Sequence, residues 1–329
     1  MSAPRVGFLG TGRIGLHRME AMLQTGAVAA AAICDPSPHC AAEAQALAPG
    51  TAIMPSLDAM LEAGLDGLVI ATPSALHARQ SIAALKRGIA VFCQKPLGRD
   101  AQETAAVVAA AKAADRLLAV DFSYRYTAGM EAIARLVRGG DLGRIFAADL
   151  VFHNAYGPDK PWFNDKAQSG GGCVMDLGIH LIDLLFWLLD FPEITGVAAN
   201  LLAGGMPADR DSVEDYAVAQ LTLADGAVAR LACSWRLQAG QDAVIEATFH
   251  GEHGGASFRN VGGSFFDFEA LRLKGTATEP LAVPPDDWGG RAAAAWARQL
   301  AQSRKFDPAA EKLVDVARAL DRIYAAGGV

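Results

Sequence analysis

Between residues 5 and 122, short apolar runs alternate with longer, alanine-rich stretches of helical character. The runs cover residues 6–10, 28–34, 67–71, 89–93 and 117–122, each bounded by Gly, Pro or Asp. Strands this short and this continuously apolar are buried on both faces, as in a parallel sheet whose helices supply right-handed crossovers. The pattern predicts a doubly wound, Rossmann-type α/β domain over residues 1–122. A helix over 127–139 follows, closed by Gly139 and Gly140.

The pattern then changes. Residues 144–153, 216–223, 227–235, 243–250 and 265–273 read as strands, with Ala224-Asp225-Gly226 as a hairpin signal between two of them. One long apolar helix is expected over 174–189, and two more over 289–302 and 309–325. Strand runs mixed with such helices describe an α+β domain over 123–329, with an open, mostly antiparallel sheet. There is no internal repeat and no low-complexity tract.

Composition narrows the class. A chain of 329 residues has room for two domains, and 52% hydrophobic with 20% charged residues excludes a disordered one. The longest apolar runs, 27–34 and 184–189, fall short of the ~18 residues a membrane span needs, so no membrane partner is expected. The N-terminus runs straight into a strand without a leader pattern, and the expected location is the cytoplasm. The net charge of −7 is spread along the chain, leaving no basic footprint for nucleic acid. Five cysteines without a Cys-x-x-Cys pair read as separate thiols in a reducing compartment.

The first chemical motif is Gly10-Thr11-Gly12-Arg13-Ile14-Gly15, between the first strand and the first helix. Its glycines permit the turn, the approach of backbone N–H groups to a pyrophosphate, and close packing of helix on strand. Asp35, at the end of the second strand, stands where a carboxylate accepts hydrogen bonds from an adenosine ribose. That carboxylate repels a 2′-phosphate, so NAD is favoured over NADP. Arg13 weighs the other way if its guanidinium reaches such a phosphate, and its alternatives are adenine stacking or exposure to solvent.

Two further segments end buried strands at the ligand-binding edge of the sheet. Ala71-Thr72-Pro73 is the first, with His77 four residues beyond Pro73 as either a crevice group or a locally bonded helix residue. The second is Gln94-Lys95-Pro96, in which the proline keeps Lys95 extended and its amine is expected in the crevice. In the second half, Gly170-Gly171-Gly172 precedes Asp176 and His180, which are four apart and so share one helix face. A carboxylate, an imidazole and a closely approaching backbone suit oxidation of a carbinol. Metal chelation by Asp176 and His180 is a rival reading that lacks a third ligand nearby in sequence, and no metal is expected. Asp183 reads as a structural hydrogen-bonding residue on the same helix.

Taken in order, these motifs resemble the GFO/IDH/MocA family of oxidoreductases over nearly the whole chain. The resemblance implies a Rossmann domain joined to an α/β domain whose open sheet serves oligomerisation, as a homodimer or homotetramer. It implies hydride transfer between NAD or NADP and a carbinol or carbonyl of a sugar, inositol or related polyol. Lys95 would then anchor the substrate hydroxyl and the nicotinamide ribose, Asp176 would orient the substrate, and His180 would accept the proton. Arg125 lies where similar sequences carry an arginine near the substrate, and His153 and Trp162 are the other substrate-binding candidates. Gln94 departs from the family pattern, which has Glu before Lys-Pro. An NAD-using glycosidase with an internal redox cycle and a non-catalytic dinucleotide sensor are the alternative functions.

Overall fold

The computed structural model describes residues 2–329. The chain divides into two compact units, Met1–Ser123 with Gly290–Val314, and Tyr124–Gly289 with Asp315–Val329.

In the first unit β1 (Arg5–Leu9), α1 (Arg13–Gln24), β2 (Ala29–Cys34), α2 (Pro38–Leu47), β3 (Ala52–Ile53), α3 (Leu57–Leu61), β4 (Gly67–Ile70), α4 (Ser74–Lys86), β5 (Ala90–Cys93), α5 (Ala101–Ala114) and β6 (Leu118–Val120) follow in sequence. All six strands are parallel, in the order β3-β2-β1-β4-β5-β6. The strand order reverses between β1 and β4, so the turns after these two strands open a crevice at their carboxyl ends. Phe8, Ile33, Leu68, Ile70 and Phe92 are fully buried and fill the sheet's core. The side chains of Ser37 and Asp100 accept backbone N–H groups at the starts of α2 and α5, which sets where those helices begin. The predicted Rossmann architecture is observed. The two-residue β3 was not expected, because so short an exposed edge carries no apolar pattern.

The second unit comprises α6 (Ala128–Arg138), β7 (Ile145–Asn154), α7 (Lys166–Ser169), a π-helical turn (Val174–Gly178), α8 (Ile179–Leu188), β8 (Ile194–Ala203), β9 (Met206–Pro207), β10 (Tyr216–Leu223), β11 (Val228–Ser234), β12 (Ala243–Gly251), β13 (Gly254–Asn260), β14 (Phe268–Lys274) and β15 (Ala277–Ala282). Its nine strands are ordered β15-β14-β13-β12-β7-β11-β10-β8-β9, antiparallel except for the central β11–β7 pair. Leu150, Phe152, Leu231, Cys233, Ile245, Ala247 and Phe249 alternate with less buried neighbours and form the covered face. The sheet is therefore mostly antiparallel, as expected. Strands β8, β9, β13 and β15 are additional: β9 is two residues long, the Ala-rich, Gly-rich and Pro-containing segments of the others carry a weak strand signal, and Pro280 is tolerated because β15 is an edge.

The domain boundary after residue 122 needs one correction. The helix α9 (Arg291–Gln302), expected to belong with residues 123–289, clusters with the first unit instead. Trp296 is 2% exposed, its ring lies 5.7 Å from that of Phe92, and a Cβ on Gly67 would come within 2.7 Å of it. The chain closes with α10 (Leu313–Ala326). The stretch Lys166–Leu188 is helical, long and apolar enough to satisfy the length and composition of a membrane span, but 83% of its most apolar window is buried inside the protein. It is a core segment. All five cysteines are free thiols.

Because Trp296 fills a space lined by β4 and β5, Trp296→Ala should cost about 3–5 kcal/mol of the first unit's stability. Urea unfolding followed by far-UV circular dichroism measures it, and a loss under about 1 kcal/mol would detach α9 from this core.

Candidate active site

The turn after β1 is built by backbone proximity. A Cβ on Gly10, which has φ +82°, would meet the Ala71 carbonyl oxygen at 2.5 Å, and one on Gly15 would meet the Gly10 oxygen at 2.1 Å. Gly12 has nothing within 4 Å of its Cβ direction. It is the N-cap of α1, so the first turn of this 12-residue helix has no side-chain acceptor from its cap. Uncapped helix N-termini of this kind accept phosphate. Arg13 and Ile14 are exposed on that first turn, whereas Thr11 is buried.

Asp35 is tied to the same turn. Its Oδ2 accepts Thr11 N at 2.6 Å and its Oδ1 accepts Ser37 N at 2.8 Å. Oδ2 also accepts Thr11 Oγ1 at 3.4 Å, and Oδ1 keeps a lone pair for a ribose hydroxyl, so the geometry fits the group that the sequence predicts. The glycine turn, the open helix end and the fixed carboxylate together make a dinucleotide cradle.

Of the two places expected for His77, the structure shows the hydrogen-bonded one rather than the open crevice. It is 1% exposed, and its two ring nitrogens face the carbonyl oxygens of Pro96 and Thr72, both at 2.6 Å. Burial lowers its pKa, against the pull of the two carbonyls. Both nitrogens are directed at main chain after β4 and β5 rather than at an open crevice, and the neutral ring donates its one N–H to one of the two carbonyls. Thr72 Oγ1 is itself bonded to Gln80 Oε1 at 2.6 Å. Gln94 donates its amide to Asp121 at 2.5 Å, and the Lys95–Pro96 peptide bond is cis.

In the second unit the chemistry-bearing helix is not α-helical throughout. Residues Val174–Gly178 form a π turn in which Ile179 N reaches back to Val174 O, and only then does α8 begin. π turns recur at functional sites. The wide turn displaces Asp176 from the regular α-helical spacing to His180 read from the sequence. Asp176 accepts Trp235 Nε1 at 3.1 Å, while the His180 ring packs edge-on against Tyr124 at 5.0 Å and lies 6.4 Å from Phe152.

A group the sequence did not disclose holds this turn. Glu214 has no exposed surface, and its carboxylate accepts Gly172 N at 2.8 Å, Val174 N at 2.9 Å and Tyr324 Oη at 2.9 Å. Tyr324 Oη in turn accepts Met175 N at 3.1 Å. A Cβ on Gly172 would lie 1.8 Å from the Glu214 carbonyl oxygen, and one on Gly171 would lie 2.0 Å from Tyr324 Oη. The glycine run thus serves close approach to Glu214 and Tyr324. Burial raises the pKa of both side chains. Nothing in the spacing of Glu214 to the glycines, over 40 residues upstream, signals the contact.

The three substrate candidates separate. Trp162 stacks on Phe163 at 3.8 Å, Phe163 meets Trp235 edge-on at 6.2 Å, and Trp235 holds Asp176. Trp162 is therefore at the end of an aromatic relay to Asp176. Arg125 is spent on the buried Asp183, with Nε to Oδ2 at 2.7 Å and Nη2 bonded to Oδ1; it serves as counter-ion to that carboxylate. His153 lies on the sheet face opposite Phe152, because successive strand residues alternate sides. Its Nδ1 bonds Ser234 Oγ at 2.8 Å, its ring stacks on Tyr216 at 6.0 Å, and burial lowers its pKa. It does not share a face with His180, which contacts Phe152. Among the described residues no three His, Cys, Asp or Glu side chains gather as a metal site.

Comparison with known proteins agrees with this geometry. Residues 4–122 match the oxidoreductase family with an NAD-binding Rossmann fold, and residues 130–257 match the GFO/IDH/MocA C-terminal domain. The inositol 2-dehydrogenase of Rhizobium meliloti (strain 1021) is 32% identical over 261 residues, covering 78% of this chain and 76% of its own. The chain belongs to the GFO/IDH/MocA oxidoreductase family. A second member, the 1,5-anhydro-D-fructose reductase of Ensifer adhaerens, is 28% identical over 201 residues, 60% of this chain, which match 58% of that protein's length. A solved levoglucosan dehydrogenase, in complex with NADH and L-sorbose, shares the fold with a TM-score of 0.84 at 21% identity, covering 99% of this chain and 97% of its own. The cradle of this family member is an NAD-binding Rossmann domain.

Two outcomes test the site's internal bonds. Tyr324→Phe removes the hydroxyl that joins Glu214 to Met175 N, and about 1–3 kcal/mol of stability should go with it. Tyr156→Phe, at an exposed hydrogen bond to Asp242, should cost under about 0.5 kcal/mol; equal losses in the two variants would deny the Glu214 network its role. The second concerns Asp183, whose carboxyl is pushed up to about 6 by burial, against the pull of Arg125. A carboxyl with a raised folded-state pKa binds protons more tightly in the folded protein than in the unfolded chain. Its stabilising contribution is full below the ordinary carboxylate value and is lost as pH rises toward 6. Wild type should therefore lose on the order of 2–3 kcal/mol of stability relative to Asp183→Asn between pH 4 and pH 6.5. A flat difference in unfolding titrations would refute it.

Proposed function

We propose that this family member is an NAD-dependent dehydrogenase or reductase acting on a carbinol or carbonyl of a sugar, inositol or related polyol. The observation that carries the reading is the π turn: it sets Asp176, held by Trp235, and the imidazole of His180 on a helix whose start is clamped by Glu214. Matched proteins carry the names inositol 2-dehydrogenase, 1,5-anhydro-D-fructose reductase and D-glucoside 3-dehydrogenase, which supports a polyhydroxylated substrate.

NAD held by the cradle would supply the hydride acceptor. In the oxidative direction His180 takes the proton from the substrate hydroxyl as the carbon–oxygen double bond forms. Lys95 donates a hydrogen bond to that oxygen while negative charge develops on it. Asp176 accepts hydrogen bonds from substrate hydroxyls, and its Trp235 bond fixes its orientation. The exposed part of Trp162 offers an apolar surface to a sugar ring. Asp35, already bonded to Thr11 and Ser37, selects a 2′-hydroxyl over a 2′-phosphate.

The protein works in the cytoplasm on this reading, where its five free thiols stay reduced. It assembles as a homodimer or homotetramer through the less covered face of the second sheet, where Val228 is 36% exposed.

The decisive experiment incubates the protein with NAD and a panel of inositols, hexoses and anhydrosugars and follows absorbance of the reduced nicotinamide. Net NADH formation with at least one polyol is expected. Bond cleavage without net NADH would replace the proposal by internal redox chemistry, and NAD binding without any turnover would replace it by a sensor. With a substrate in hand, Lys95→Ala and His180→Ala should each lower kcat by about 100-fold or more while NAD still binds. Asp35→Ser should narrow the preference for NAD over NADP, and equal wild-type affinities for the two would contradict the role given to Asp35.

A further inference from the structure

Within the first unit, Gln94 is joined to a buried ion pair that the chemistry above does not use. Arg18 of α1 and Asp121, which follows β6, meet with Nε 2.6 Å from Oδ2, and they are only 9% and 2% exposed. Ser123 Oγ donates to Asp121 Oδ1 at 2.6 Å and accepts from Arg18 Nη2 at 3.1 Å. Arg18 Nη1 donates to His17 Nδ1 at 2.7 Å. Asp121 also accepts the Gln94 amide, with Nε2 2.5 Å from Oδ2. A carboxylate paired to arginine offers only acceptor positions, so the nitrogen end of the amide must face it and the carbonyl oxygen is turned away. Gln94 directly follows β5 and precedes Lys95, on the carboxyl edge of the sheet that carries the cradle.

We infer that Asp121 is a positioning residue for the dinucleotide: by holding the nitrogen of the Gln94 amide, it makes the crevice present a neutral carbonyl oxygen as acceptor for a hydroxyl of the cofactor. The inference rests on the cofactor reading of the cradle. Its physical basis is a demand on residue 94 that few side chains meet. The residue must donate toward Asp121 and accept on its other side. A carboxylate at 94 would instead stand against Asp121 with Arg18 as the single cation of the cluster. Two carboxylates at that separation cannot both remain ionised, and one would be forced to hold a proton. An apolar side chain would leave Asp121 one donor short and the crevice without its acceptor.

The test compares wild type, Gln94→Glu, Gln94→Met and the double variant Gln94→Glu/Asp121→Asn by NAD titration, read from intrinsic fluorescence, and by thermal unfolding without cofactor. Wild type must bind NAD; if it does not, the cofactor reading itself has failed, which separates that failure from this one. Gln94→Glu should weaken NAD binding about 10-fold or more, and the double variant, which returns to one carboxylate for Arg18, should recover to within about 3-fold of wild type. Gln94→Met should weaken binding about 3- to 10-fold, because the crevice loses an acceptor for the ligand, and it should also lower Tm, because buried Asp121 loses a donor. Wild-type affinity in Gln94→Glu would overturn the inference. So would a Gln94→Met variant with lowered Tm and unchanged Kd, since the bond would then be structural alone. If the double variant fails to fold, the two single substitutions at 94 decide the matter between them.

Discussion

Satisfaction of backbone N–H groups at two glycine turns governs the rest of the molecule. Both turns bring main chain so close to its neighbours that a Cβ would collide, at Gly10 and Gly15 in one and at Gly171 and Gly172 in the other. The second turn is closed internally: Glu214 takes two of its N–H groups and Tyr324 a third. The first turn is left open, with Gly12 uncapped at the start of α1. Buried donors without acceptors are costly, so one turn is finished by the protein and the other is suited to being finished by an anionic ligand. A rigid turn in the second unit and an open one in the first arise from the same local chemistry.

Buried charge follows a similar rule. Arg18 with Asp121 and Arg125 with Asp183 are each largely withdrawn from water and paired side chain to side chain. A charge moved into such surroundings without a partner would cost several kcal/mol. Neither pair is an efficient way to stabilise a fold, and both sit beside residues that the sequence marks as chemical: Gln94 in one case, and the helix of Asp176 and His180 in the other. Asp121 in addition holds the Gln94 amide. His77 sits between two carbonyls of the turns after β4 and β5 and donates to one of them.

What could be read in advance was what depends on local pattern. The parallel sheet, the glycine turn with Asp35, the segment Gln94-Lys95-Pro96 and the pair Asp176 and His180 were all legible, because periodicity, turn chemistry and short motifs act over a few residues. The antiparallel character of the second sheet was also visible, although β8, β13 and β15 were not, since their Ala, Gly and Pro content hides a strand that only its neighbours stabilise.

Long-range packing decided the remainder. It placed α9 with the first unit through Trp296, turned His153 to the far face of β7, and paired Arg125 with Asp183. It brought Glu214 and Tyr324 to the glycine run and Asp121 to Gln94 across 27 residues. The sequence by itself determined which residues carry acid, base and phosphate-binding character, because those properties belong to side chains and short turns. Only the tertiary structure decided which of them are available and which are consumed by one another, because a buried polar group is bound to whatever partner the fold sets within hydrogen-bond reach.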